Sequence, residues 1–249
     1  MKQIVSIILS LITFMAIILG VNTYSSMPTA PAHSNKSNTS SVESNSEDEN
    51  SVKFNKVDID YFNDALFIGD SRTVGLGKYS LLQSQTEAEF FAQTGLSAIN
   101  VFNIKNSDMQ ENVTLSEKLQ SRIYGKIYLM FGVNEITNDL DENLKVFGNL
   151  IESIKSYQPD ALIFIQANLH VGKGRSESYE LYSNSRLDRY NEMLSSLADN
   201  KTIYYIDFNE IYNDNEGNLS EKFTCDDLHL NSDCHDPWIE YLKSHAIVQ

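Results

Sequence analysis

Positive charge, cysteine and internal repetition are all scarce in this chain of 249 residues. Its 19 Lys and Arg stand against 34 Asp and Glu, a formal net charge of −15. Such a balance repels polyanions, so nucleic acid is excluded as a partner held by bulk electrostatics. No internal repeat is visible, which excludes solenoid and propeller arrays. The only cysteines are Cys225 and Cys234, so no cysteine is available near the N-terminus to accept a lipid. Residues 22–56 carry few large apolar side chains and are rich in Ser, Asn, Glu and Pro. Such a stretch cannot bury enough surface to offset the entropy of ordering it, so a flexible tether is expected there.

Residues 4–21 are apolar or small apart from Ser6, Ser10 and Thr13, and Lys2 is the only charge before them. A run of that length just spans a bilayer as a helix, which takes roughly 17–25 residues. Cleavable signals have a shorter apolar core and a small-x-small site after it. Here Thr29-Ala30 is the sole such site in the flank. An uncleaved single-pass anchor is therefore expected, with a cleaved signal as the alternative. In both cases Lys2 stays inside and the remainder is exported. Residues 57–249 are enough for one domain with a full core.

Within that domain, apolar runs rich in β-branched and aromatic residues read as buried strands at residues 65–68, 88–92, 126–131, 161–166 and 202–207. Between them, Leu144, Phe147, Leu150, Ile151 and Ile154 recur at helical spacing, as do Leu187, Tyr190, Met193, Leu194 and Leu197. Alternating strands and helices imply an α/β fold, a parallel sheet covered by helices on both faces. Ligand sites of such sheets lie beyond the carboxyl ends of the strands. Ser71, Gly95 and Asn134 follow the first three runs, and His229 lies in the long segment after the fifth.

A serine hydroxyl becomes a nucleophile when a base takes its proton, and a carboxylate that orients the base improves it. Phe67-Ile68-Gly69-Asp70-Ser71 reads as a strand end, a tight exit and a helix start. A helix N-terminus there would favour developing negative charge, although Ser71 as a plain N-cap is the alternative. In Asp226-Asp227-Leu228-His229 the Asp three residues before the His can take the Nδ1 proton and leave Nε2 facing the serine. Of the other histidines, His33 falls in the tether, His245 near the C-terminal end, His170 after the fourth strand, and His235 lacks a carboxylate at the same offset. Oxyanion donors are expected from the Ser71 and Gly95 N–H groups and the Asn134 amide, while turn or cap roles for Gly95 and Asn134 stay open.

Ser71, Gly95, Asn134 and His229 resemble the four residues that name the SGNH, or GDSL-like, hydrolases. Gly69-Asp70-Ser71, Thr94-Gly95, Gly132-Val133-Asn134-Glu135 and Asp226–His229 resemble that family's blocks. The resemblance implies a three-layer α/β/α fold with a parallel, flavodoxin-like five-stranded sheet. It also implies ester hydrolysis through an acyl-serine, without cofactor or metal. Two residues depart from the pattern. Glu135 stands where the family usually has Asp, and Arg72 replaces the aliphatic residue after the serine.

Cys225 and Cys234 bracket Asp226 and His229. In an exported protein such a pair invites a disulfide, worth roughly 2–3 kcal/mol for so small a loop. Free thiols, or a zinc site with His229 and His235, are the alternatives. By analogy with surface members of the family, the expected substrate is a small acyl group, O-acetyl first, on a carbohydrate. The segment at residues 171–175, after the fourth strand, reads as a loop that could place Lys173 or Arg175 over the site, a flexible solvated loop being the alternative. An O-acetyltransferase and a non-catalytic surface binding module are the rival functions.

Overall fold

The structure, a computed structural model, describes residues 52–109 and 111–248. The expected anchor and residues 22–51 of the expected tether lie outside the described residues. At the near end of that tether, Asn55 exchanges backbone hydrogen bonds with Ala246 at 2.8 and 3.1 Å, and the Phe54 ring meets the His245 ring at 5.0 Å. Among the described residues no helix is long and apolar enough to cross a membrane.

Five strands, β1 (Ala65–Gly69), β2 (Glu89–Ala92), β3 (Lys126–Met130), β4 (Leu162–Gln166) and β5 (Ile203–Ile206), form one sheet in the order β2-β1-β3-β4-β5. Every pairing is parallel. Each strand lies within a residue of the run that marks it in the sequence. The runs are continuous because β1, β3 and β4 are buried at every position, Lys126 included, where Asp64 pairs with the ammonium.

Seven helices accompany the strands among the described residues: α1 (Ser71–Tyr79), α2 (Leu82–Gln85), α3 (Leu115–Ser121), α4 (Leu140–Tyr157), α5 (Lys173–Ser178), α6 (Asn184–Ser195) and α7 (Asp236–Ser244). Alternate strand residues point to opposite faces and build two cores. Leu66, Ile68, Ile127, Leu129, Ile163 and Ile165 pack with α3, α4 and α6. Phe67, Tyr128, Phe164 and Tyr204 pack with α1, α2 and α7. The result is the three-layer α/β/α arrangement, with helix caps written in the sequence. Asp139 accepts from the Asp141 and Glu142 N–H groups at the start of α4, and Thr114 with Glu117 forms a capping box at α3.

On the second face, in-register aromatic side chains form a ladder across all five strands. Successive ring pairs Phe90–Phe67, Phe67–Tyr128, Tyr128–Phe164 and Phe164–Tyr204 stack at 5.1, 4.6, 4.6 and 5.6 Å. Such pairs contribute about 0.5–1.5 kcal/mol each beyond their buried area. They make the sheet a stiff base for the loops at its carboxyl edge. The strand order reverses beside β1, where a crevice is expected. Ser71 follows β1 and Asn134 follows β3.

Candidate active site

β1 ends at Gly69, and α1 begins at Ser71 with Asp70 as its N-cap, the Asp70 carboxylate accepting the Arg72 N–H at 2.9 Å. Asp70, not Ser71, therefore does the capping, and the Ser71 side chain is left free. Its Oγ lies 2.8 Å from His229 Nε2. The His229 Nδ1 lies 2.7 Å from Asp226 Oδ2, and Asp226 Oδ1 accepts from the Leu228 and His229 N–H groups at 3.0 and 2.8 Å. Partial burial works to raise the Asp226 pKa. The hydrogen bonds from the His229 ring, its backbone and Leu228 outweigh that and hold the carboxyl well below the usual range. The carboxylate thus stays ionised, keeps the His229 proton on Nδ1 and leaves Nε2 as the acceptor for the serine proton. Ser71, His229 and Asp226, expected together from the sequence, are brought together.

Gly95 sits in a turn closed by a bond from Leu96 N–H to the Gln93 carbonyl at 3.0 Å, with φ of +75°. A β-carbon there would meet nothing within 4 Å. The backbone conformation, rather than crowding, is what favours glycine. Asn134 is exposed between buried neighbours and donates to the Leu96 carbonyl at 2.8 Å. The next residue, Glu135, accepts the Ala98 N–H at 3.1 Å, and Asp108 accepts the Thr94 N–H at 2.8 Å. The segment carrying Gly95 is thus held at Thr94, Leu96 and Ala98 by three side chains. The Ser71 and Gly95 N–H groups have no hydrogen-bond partner among the described residues. They remain available as donors.

The two departures from the family pattern have structural roles. Arg72 is 3 % exposed, and its Nε donates to the Leu228 carbonyl at 3.3 Å. It ties the helix bearing Ser71 to the loop bearing His229. Burial pushes the Asp70 carboxyl up, while the Arg72 guanidinium opposes that rise. Glu135 is buried, and its pKa is raised to about 7 by burial, the Ala98 N–H opposing and the Asp70 charge adding.

Three expectations need correction. First, Cys225 and Cys234 are free thiols, not a disulfide. Cys225 faces solvent, and the Cys234 thiol donates to Asp233 Oδ1 at 3.5 Å. The loop is closed instead by Asn231 N–H to the Phe223 carbonyl at 2.8 Å and by the Asp226 bonds. No cluster of three or more metal-binding side chains occurs among the described residues. Second, Lys173 is turned to Glu216, 2.8 Å from its Nζ, and does not reach over the site. Arg175 lies over the Tyr182 ring at 5.6 Å and lines a cavity of about 350 Å³ with Ser178, Asp226 and Asp227. Third, the expected loop at residues 171–175 runs into a helix from Lys173, α5 (Lys173–Ser178), which has no buried residue and hence no apolar period to read.

His170 also meets an aspartate, Asp188 at 2.8 Å, but its other nitrogen bonds the Gly217 carbonyl at 2.7 Å, so that pair is structural. His245 stacks on Tyr241 at 4.0 Å. His33 lies outside the described residues. The Asp108 brace and the Arg72 tie were not read from the sequence, since both depend on which loops the fold brings together.

Residues 67–236 match the model of the GDSL-like lipase/acylhydrolase family. Among curated proteins none matches this chain. Solved structures share the fold. A protein from Streptococcus pneumonia described as a platelet activating factor is 22 % identical, with 72 % of this chain and 82 % of that one covered and a TM-score of 0.58. The acetyl xylan esterase AlAXEase is 19 % identical over 74 % of this chain and 99 % of its own, with a TM-score of 0.55. An active-site mutant of a family two carbohydrate esterase from Clostridium thermocellum is 14 % identical over 72 % of this chain and 61 % of its own, with a TM-score of 0.52. With Ser71, His229 and Asp226 placed inside the matched region, the chain belongs to the GDSL-like lipase/acylhydrolase family and is a serine ester hydrolase.

Proposed function

We propose that the chain is an extracytoplasmic esterase that removes small acyl groups, acetyl first, from carbohydrate through an acyl-Ser71 intermediate. The observation that carries the mechanism is the 2.8 Å approach of Ser71 Oγ to His229 Nε2, with Asp226 on the far nitrogen at 2.7 Å. His229 takes the Ser71 proton as Oγ attacks the ester carbonyl. The oxyanion is met by the Ser71 and Gly95 N–H groups and the Asn134 amide, whose donors are worth more in a fixed, partly dry site than in water. Collapse passes the proton from His229 to the departing alcohol and leaves the acyl group on Ser71. Water, deprotonated by His229, then releases the acid and restores the serine.

The carbohydrate reading is supported by structural neighbours that are an acetyl xylan esterase and a family two carbohydrate esterase. The extracytoplasmic placement is supported by the apolar run at residues 4–21 behind a lone Lys2. Residues 22–51 would then act as the tether between membrane and enzyme, the expected tether being shortened at its C-terminal end because Val52 and Phe54 pack on the core and Asn55 pairs with Ala246.

The test is acetate release from acetylated xylan by the full chain and by its Ser71→Ala variant. Release by the parent and loss in the variant is the expected result. Full release by Ser71→Ala would overturn the mechanism.

A further inference from the structure

A cavity of about 260 Å³ opens at Ser71 and His229 and runs along α1 toward the start of α7. At roughly 30 Å³ for a water-sized group, an acetyl group would leave most of it empty. Val74, Leu230 and Trp238 give it apolar walls. His235 provides polarity on another side. Its ring is 3 % exposed and packed so closely on α1 that a β-carbon on Gly75 would lie 2.7 Å from Nε2. Neither ring nitrogen makes a hydrogen bond among the described residues, and Nδ1 is buried without a partner. The Ser232 and Asn231 carbonyls lie near the ring. Burial holds the His235 pKa below its ordinary value against those carbonyls and the Asp236 and Asp233 charges, so the ring is neutral. Nδ1 is closed off, but Nε2, beside the cavity-lining Gly75, can donate or accept one hydrogen bond according to the tautomer, and a hydroxyl can meet it either way. At the edge, the Tyr79 ring is 55 % exposed and faces the His235 ring at 5.6 Å.

We propose that this cavity seats the sugar ring that carries the ester, with Tyr79 as the platform for its C–H face and His235 as the contact for a ring hydroxyl. The argument rests on the esterase reading above. His229 must protonate the departing alkoxide, so the alcohol half of the substrate has to lie within its reach, and this cavity has His229 in its wall. An exposed aromatic beside a buried unpaired imidazole and apolar walls suits a pyranose, which has apolar faces and a hydroxyl rim. An acyl chain would cover His235 Nε2 without giving it a hydrogen-bond partner.

The test compares Tyr79→Ala and His235→Gln with the parent full chain on two esters. One is a mixture of mono-O-acetylated methyl glucopyranosides, and the other is ethyl acetate, which has no ring. Both reactions are followed by acid release at constant pH. The ratio of kcat/KM on the sugar ester to that on ethyl acetate is expected to fall at least about tenfold in each variant, chiefly through KM. Tyr79 is exposed, so its variant reports even if His235→Gln loses stability. An unmoved ratio in a folded, active Tyr79→Ala enzyme would overturn the proposal alone. With ethyl octanoate added as a third ester, a change confined to the preference between it and ethyl acetate would also overturn the proposal and assign the cavity to the acyl chain. A parent inert toward both acetates would overturn the esterase reading, and this proposal with it.

Discussion

Replacing Asp226 by Asn separates the orientation of the His229 ring from the shaping of the loop around it. One carboxylate oxygen serves the loop, accepting from the Leu228 and His229 N–H groups at 3.0 and 2.8 Å. The other meets His229 Nδ1 at 2.7 Å. Asn keeps an oxygen for the two backbone donors and puts an NH2 group against Nδ1. Two donors cannot face each other, so the ring proton moves to Nε2, the nitrogen that faces Ser71 Oγ. In that tautomer His229 cannot accept the serine proton. On the pattern of serine proteases, where the corresponding change costs about 10⁴ in kcat, a loss of about 10³–10⁴ is expected. The stability change should be small, because the Asp226 and His229 side chains are 47 % and 40 % exposed and the backbone bonds persist. A half-exposed carboxylate–imidazole hydrogen bond contributes about 1 kcal/mol at most, or about 2–4 °C in melting temperature. Initial rates on p-nitrophenyl acetate and a thermal melt measure both quantities. A folded Asp226→Asn protein within about tenfold of the parent rate would refute the assignment of His229 as an oriented base.

Other substitutions and conditions probe the surroundings of the site. Arg72→Met removes the buried guanidinium whose Nε ties α1 to the His229 loop through the Leu228 carbonyl. Losing a hydrogen bond from a charged group should cost about 1.5–3 kcal/mol, seen as a melting-temperature drop of roughly 3 °C or more, with activity falling as well. An unchanged melt would show that the tie is dispensable. Burial raises Glu135 from its ordinary 4.5 to about 7, so the folded protein binds a proton there more tightly than the unfolded chain. Its contribution is full below about pH 4.5 and is lost as pH rises through about 7, a loss of about 3 kcal/mol. Glu135→Gln should flatten that decline in chemical denaturation between pH 5 and 8, and an unchanged slope would contradict it. With both thiols free, a reductant should shift the melting temperature by less than about 1 °C. A drop of several degrees would reveal a Cys225–Cys234 bond.

The sheet was legible in the sequence because β1, β3 and β4 are buried along their whole length, which forces continuous apolar runs. Ser71 and Asn134 were legible because they follow closely on those runs, and His229 because Asp226 stands three residues before it. The aromatic ladder was present as Phe90, Phe67, Tyr128, Phe164 and Tyr204, but only the register makes it visible. What resisted reading depends on tertiary neighbours. Asp108 belongs to a polar loop without periodicity and gains its role by meeting Thr94. His235 lacks a carboxylate partner in the sequence, and its place in the cavity comes from packing on Gly75. The spacing of Cys225 and Cys234 invites a bond, yet a backbone bond from Asn231 to Phe223 already closes that loop. Residues 173–178 present no apolar face, so nothing in their pattern announces a helix.

The central claim is that Ser71 is activated by His229, and a fluorophosphonate probe reads it without knowledge of the natural substrate. The full chain is treated with the probe, digested and mapped by mass spectrometry. The account predicts covalent labelling at Ser71 that is lost in His229→Ala. A folded protein that takes no label, or takes it equally well without His229, would contradict it.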